Sequence, residues 1–252
     1  MRSLVVLPAL LVAAPALAQA PPPPPPPPGS PPRAYAPPAA VPPYTPYIPP
    51  RSTIYLAITG GGLFPNDVDA SGSGTLGGVS TRASGRIKFE DTYVASGILG
   101  LQFSPFVSFE IEGGYTHLKT KGGSSGTLTP DGGVATPGTI TGSGNAWLGF
   151  GNLLIWPLGA DAVVAPYLGG GGGVAGFKGS AVVSNGLGAI AISTDGRQAT
   201  PAAAAIAGID FGGPGPFRIG ARYKYMWIGV DNSRNFKQLQ AQTITAVLSA
   251  RF

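Results

Sequence analysis

Between Phe217 and Phe252 the sequence alternates residue by residue, and no other feature so narrows what the chain can become. Phe217, Ile219, Ala221, Tyr223, Tyr225 and Trp227 fall on one face of an extended chain, while Arg218, Gly220, Arg222, Lys224, Met226 and Ile228 fall on the other. The close of the sequence repeats the pattern, with Ile244, Ala246, Leu248, Ala250 and Phe252 opposite Thr243, Thr245, Val247, Ser249 and Arg251. A period of two belongs to strands, not helices. Phe217 and Trp227 stand ten residues apart on the apolar face, and in a strand tilted by about 45° that separates them by roughly 24 Å along a membrane normal. This is the height of the apolar band of a membrane-spanning barrel, which aromatic girdles edge on both sides. Tyr93 and Phe103 repeat the spacing in phase on a second strand, and Trp147 joins the same apolar face on a third. A soluble β-sandwich also alternates, but nothing in it would require one aromatic spacing on two strands.

Three further stretches carry a resemblance: Pro166-Tyr167-Leu168-Gly169 with the glycine run to Gly173, Gly220 through Tyr225, and the terminal Ser249-Ala250-Arg251-Phe252. With the strand pattern of residues 52–252, they resemble the small eight-stranded outer-membrane barrels, typified by the OmpA transmembrane domain and the alphaproteobacterial surface-antigen and opacity-type porins. The resemblance implies surface exposure, a structural or porin-like role, contact with outer-membrane lipid, and Phe252 as a signal to the barrel-assembly machinery.

The expected fold is all-β: an eight-stranded antiparallel up-and-down transmembrane barrel with a disordered Pro-rich segment before it. The strands are placed at about 53–64, 92–103, 106–118, 145–156, 163–177, 200–211, 217–228 and 241–252. The links between them alternate in length. Long Gly/Ser/Thr-rich links cover about 65–91, 119–144, 178–198 and 231–240, and short ones cover 104–105, 157–162 and 212–216. Short periplasmic turns and longer outer loops are the habit of such barrels, so both barrel ends are expected to face the periplasm.

Residues 1–18 combine Arg2, an apolar stretch from Leu4 to Val12 and the small-residue site Ala16-Leu17-Ala18, which reads as a secretory signal. Residues 19–51 hold 17 of the 28 prolines, so no core can form there. Stretched as polyproline II, that segment would reach about 90 Å. It is either a periplasmic tether that touches the cell wall or a partner domain, or an unstructured leader. The absence of cysteine excludes disulfides and thiol chemistry. The net charge of +5 invites a nucleic-acid reading, but no basic run appears in the sequence, and nucleic acid is not an expected partner.

Chemistry is expected inside the barrel. With the apolar faces toward lipid, the lumen receives Glu110 and Glu112 from the third strand, Arg218, Arg222 and Lys224 from the seventh, and Arg251 from the eighth. The third and seventh strands of an eight-stranded barrel lie opposite one another, and such a lumen is wide enough only for side chains. Carboxylates and cations at matching heights therefore form an ion-pair network that either fills the barrel or rearranges as a narrow pore. Four cations against two anions would make that pore prefer anions. Binding through the outer loops, as an adhesin would, is the alternative role. A lipid-modifying enzyme is the more distant one: the single histidine, His117, has no matching serine motif and is expected at the headgroup boundary. Gly171, Gly173 and Gly176 satisfy GxGxxG, but no helix pattern follows, so no dinucleotide or other cofactor is expected; the glycines instead give neighbouring side chains room. No ligand spacing for a metal appears.

Overall fold

The computed structural model describes residues 53–185, 188–195, 199–229 and 239–252; the signal segment 1–18 and the whole Pro-rich segment 19–51 lie outside the described residues. Twelve strands are described: β1 (Thr53–Pro65), β2 (Val68–Leu76), β3 (Val79–Ile87), β4 (Thr92–Ser104), β5 (Val107–Lys119), β6 (Ser125–Pro130), β7 (Thr136–Ile155), β8 (Val164–Asn185), β9 (Gly188–Asp195), β10 (Thr200–Phe211), β11 (Phe217–Ile228) and β12 (Leu239–Arg251).

Eight of them close a ring. Starting from β1, each strand pairs antiparallel with the next through β4, β5, β7, β8, β10, β11 and β12, and β12 pairs back to β1 from Tyr55↔Arg251 to Pro65↔Ala241. Closure leaves this ring no free edge. The alternation read from the sequence supplies the two faces. In β11, for example, Phe217, Ile219 and Tyr223 are exposed while Arg218, Arg222, Lys224 and Met226 are buried.

The four long links are not all loops. β2, β3 and β6 extend the sheet above the ring, β7 and β8 run on past the barrel, and β9 folds back onto β8. Together they build a head with its own apolar core of Ala83, Ile87, Leu128, Ile140, Val183 and Ile190. Its outer strands β2 and β9 approach one another, Ile190 lying against Gly74. The fourth and fifth expected strands are thus too short: they run from Thr136 and to Asn185. Abundant Gly, Ser and Thr hid a sparse but regular alternation, because single apolar residues between hydroxyls suffice to bury one face of a strand.

Candidate functional site

The outer surface of the ring carries two aromatic belts. Near the short turns lie Phe103, Phe106, Phe211, Phe217 and Phe252, and near the head lie Phe64, Tyr93, Tyr115 and Trp147, all exposed. Between them the surface is apolar, with Ile58, Leu99, Ile111, Leu153, Ile219, Ile244 and Leu248 turned outward. Large exposed apolar side chains in a continuous band, edged by aromatics on a closed sheet, require a lipid surrounding. The chain folds as a small membrane-spanning β-barrel of the outer-membrane type. Of the girdle residues expected from the sequence, Tyr93, Phe103, Trp147 and Phe217 are exposed, whereas Trp227 is half-buried against Tyr225 with ring centroids 4.6 Å apart. Trp156, just beyond β7, turns inward and donates from Nε1 to Ser108 Oγ at 2.9 Å.

The interior is stacked in layers. In the middle one, Arg222 donates from Nη2 to Glu110 Oε1 and from Nε to the Tyr167 hydroxyl, both at 2.9 Å, and its Nη1 stands 3.8 Å from Glu112 Oε2. Lys224 donates to Glu112 Oε2, which also accepts from Asn152 Nδ2 at 3.1 Å, while Glu112 Oε1 accepts from Ser96 Oγ at 3.0 Å. Tyr55 donates its hydroxyl proton to Glu110 Oε1 at 2.8 Å. Glu110, Glu112, Arg222 and Lys224 are all buried. The pairs form because β5 and β11 face one another across the bore and their inward residues fall at matching heights.

The two other cations expected in this network lie elsewhere. Arg218 donates to the carbonyl oxygens of Gly213 (3.2 Å) and Ala162 (3.0 Å), and Arg251 pairs with Asp161 at 2.6 Å. Both lie closer to the short turns, where the acceptors are backbone carbonyls and, for Arg251, the Asp161 carboxylate. The sequence reading also missed Asp210. It is buried beside Arg218 and Arg222, its Oδ1 occupying the space where a Cβ on Gly220 would go. With Asp210 and Asp161 added, four cations meet four carboxylates, and the expected anion preference loses its basis.

Glycines make this filling possible. The Tyr55 ring stands where a Cβ on Gly100 would go, the Tyr167 ring covers Gly208, and Asn152 covers Gly171. The glycine run of β8 thus receives side chains from its neighbours. A cavity of about 10 Å³ lies among Tyr55, Glu110, Asp210, Arg218 and Arg222. Four buried atoms of these residues have no hydrogen-bond partner among the described residues: Glu110 Oε2, Asp210 Oδ1, Arg218 Nη1 and Arg222 Nη1.

Above the charged layer the bore becomes apolar. Leu63, Val94, Leu118, Phe150, Ala175, Ala202, Ala204, Met226 and Ala241 form one buried cluster. All eight barrel strands contribute to it. The Lys224 ammonium, 5.0 Å from the centre of the Phe150 ring, marks where the two layers meet. At the other end, Leu154, Trp156, Ala160, Ala165, Tyr167 and Ile206 pack together, with Trp156 and Tyr167 rings 4.5 Å apart. His117 is on the outer face of β5, its Nδ1 2.6 Å from Asn145 Oδ1, in the cross-strand row just above Tyr115 and Trp147. Phe252 donates its backbone N–H to the Ile54 carbonyl at 2.9 Å and leaves its ring exposed.

No family model matches the sequence, and no curated protein matches it. Among solved structures, Neisserial surface protein A is similar at 14% identity over 79% of this chain and 97% of that one, with a TM-score of 0.41. The outer membrane protein OprG from Pseudomonas aeruginosa is similar at 13% identity over 79% of this chain and 95% of that one, with a TM-score of 0.43. The barrel assignment rests on the closed ring of strand pairings and the two aromatic belts, not on these likenesses.

Proposed function

We propose that this protein is a bacterial outer-membrane surface protein whose barrel is a closed anchor and whose head is the working part. One observation carries the reading: an apolar collar to which all eight strands contribute lies across the bore above the ion pairs. A charged solute crossing that collar would exchange its hydration for apolar side chains and the two buried hydroxyls of Thr116 and Thr243, too few to replace it, and narrow apolar constrictions shed water on their own account. Below it, the charges neutralise one another, so the polar layer fixes the barrel instead of conducting. A narrow porin-like role would require the collar to part.

The short turns between β4 and β5, β7 and β8, and β10 and β11 lie at one end of the ring with the start of β1 and the end of β12. In this reading that end faces the periplasm, residues 1–18 direct export, and residues 19–51 are the periplasmic tether to the cell wall or a partner. Phe252 is the contact for the barrel-assembly machinery, and His117 belongs to the headgroup boundary, not to an enzyme. The test is single-channel recording in planar bilayers, on protein shown to be folded by a heat-dependent gel shift. Silence is expected; reproducible conductance steps from folded wild-type protein would overturn the closed-anchor reading and restore the porin.

A further inference from the structure

The link between β7 and β8, residues 156–163, is bonded to every other link at its end of the ring. Its root is packed: Trp156 and Ala160 are buried with Leu154, Ala165 and Tyr167 in the apolar cluster there. Gly159 turns the chain back at a φ of 81°, a conformation that favours glycine. Beyond it, the Ala160 N–H donates at 2.6 Å to the carbonyl of Pro105 in the β4–β5 turn, and the Val163 carbonyl accepts at 3.1 Å from Gly212 in the β10–β11 turn. Between these, the Ala162 carbonyl accepts from Arg218 Nη2 at 3.0 Å.

Its last contact decides where it lies. In the ring order β1, β4, β5, β7, β8, β10, β11, β12, the β7–β8 link stands diametrically opposite the β12–β1 seam. Arg251 belongs to that seam, where it pairs with Tyr55 in register. It nevertheless meets the link: Nη1 donates to Asp161 Oδ1 at 2.6 Å, and Nη2 donates to the Ala160 carbonyl at 3.2 Å. A contact between opposite walls has to cross the bore, so residues 160–162 lie over its mouth like a strap. A bore of eight strands is only as wide as its side chains, and one link and one arginine are enough to span it.

Strap and ion pairs share one wall. The small cavity beside Glu110, Asp210 and Arg222 is also lined by Trp156, Ser249, Arg218 and Arg251. The two ends of the strap are held unequally. At the root, the Trp156 ring packs 4.5 Å from the Tyr167 ring and lies 5.9 Å from the Arg218 guanidinium. The far end is tied through Asp161, whose side chain is 56% exposed. An ion pair open to water contributes little and weakens in salt. The far end is therefore the part that lifts while the barrel stays folded.

We infer that residues 156–163 are a releasable strap that seals the charged layer from water on the short-turn side, with the Arg251–Asp161 pair as its fastening. The apolar collar covers the same layer from the head side, so the ion pairs occupy a chamber with two separate covers. Lifting the strap admits water and small solutes to Glu110, Asp210 and Arg222 without opening a path through the barrel. This goes beyond the closed-anchor reading, for which the collar alone suffices. Ion pairs weaken when water reaches them, so the strap also sets how firmly these charges hold the barrel together.

The chain has no cysteine, so a single introduced thiol reports alone. S249C puts it on the cavity wall, where Ser249 is buried, and S84C on the exposed face of β3 gives the accessible reference. Folded full-length protein in lipid nanodiscs is treated with methyl methanethiosulfonate, which is small and uncharged, and modification is followed by intact mass. S249C should react far more slowly than S84C. Adding D161N should speed S249C about fivefold, the opening expected from loss of one exposed ion pair. High salt should speed S249C in the same way when Asp161 is present, and should do nothing further in D161N. Each variant is checked by its heat-dependent gel shift, and the salt series leaves the strap itself unaltered. If S249C reacts as fast as S84C, the mouth is open; if its rate ignores both D161N and salt, the strap is only a packed turn. Either result overturns the proposal. Conductance steps from wild type would remove the collar as a seal, while the S249C rates would still decide the strap.

Discussion

Replacing Arg222 with methionine tests whether the charged layer is sealed from water. The substitution keeps a long side chain but removes a guanidinium that donates to Glu110 and Tyr167 at 2.9 Å and stands 3.8 Å from Glu112. Glu110 would keep the Tyr55 hydroxyl, and Asp210 would lose one of the three cations near it, keeping Arg218 and Arg251. Removing one member of a buried pair costs about 3–5 kcal/mol because the other charge stays buried and uncompensated. That corresponds to about two to three and a half powers of ten in the folding equilibrium constant. The double variant E110M/R222M removes both charges, and an apolar replacement of a buried pair is often close to neutral, so it should recover at least half of the loss. The assay is urea unfolding of the vesicle-inserted protein, followed by tryptophan fluorescence and by the gel shift. A single-variant cost below about 1 kcal/mol, the level of an exposed pair, would mean that water reaches this layer, and the closed-lumen argument would fail with it.

Opening the collar by F150A/M226A should destabilise the barrel by roughly 3–5 kcal/mol for the phenylalanine and 2–5 for the methionine, and it should give conductance steps in planar bilayers where wild type gives none. G220A should cost about 1–3 kcal/mol in the same urea assay, because its methyl group meets Asp210 Oδ1 and the Ile209 carbonyl and must push a strand aside. Deleting Phe252 should lower the outer-membrane yield of folded protein several-fold, measured as the heat-shifted fraction in membrane preparations; an unchanged yield would free that residue from its assembly role.

The ring of eight strands was legible because a lipid-facing surface forces the strictest pattern a chain can carry, apolar at every second residue between aromatic ends. Phe217 to Ile228 states it outright, and the structure keeps those bounds. Glu110, Glu112, Arg222 and Lys224 could be matched across the bore for the same reason, since an inward charge stands out on an alternating strand. Asp210 could not. It closes an alanine-rich strand, and its meaning depends on Gly220 of the neighbour, a pairing that only the register reveals. The head was illegible for a related cause: its core residues Ala83, Leu128 and Val183 are separated by glycines and hydroxyls, whose composition reads as loop.

The ladder between β7 and β8 is continuous from Thr139↔Ser184 to Ile155↔Leu168, without a break where barrel gives way to head. At about 3.4 Å per residue it spans roughly 55 Å. A pull on the head directed along these strands would load their hydrogen bonds in shear, all at once, instead of peeling them one by one. There is no hinge to absorb the tug at this junction. A load on the head therefore hauls directly on the wall of the barrel, as on a stiff post and not a tethered flag.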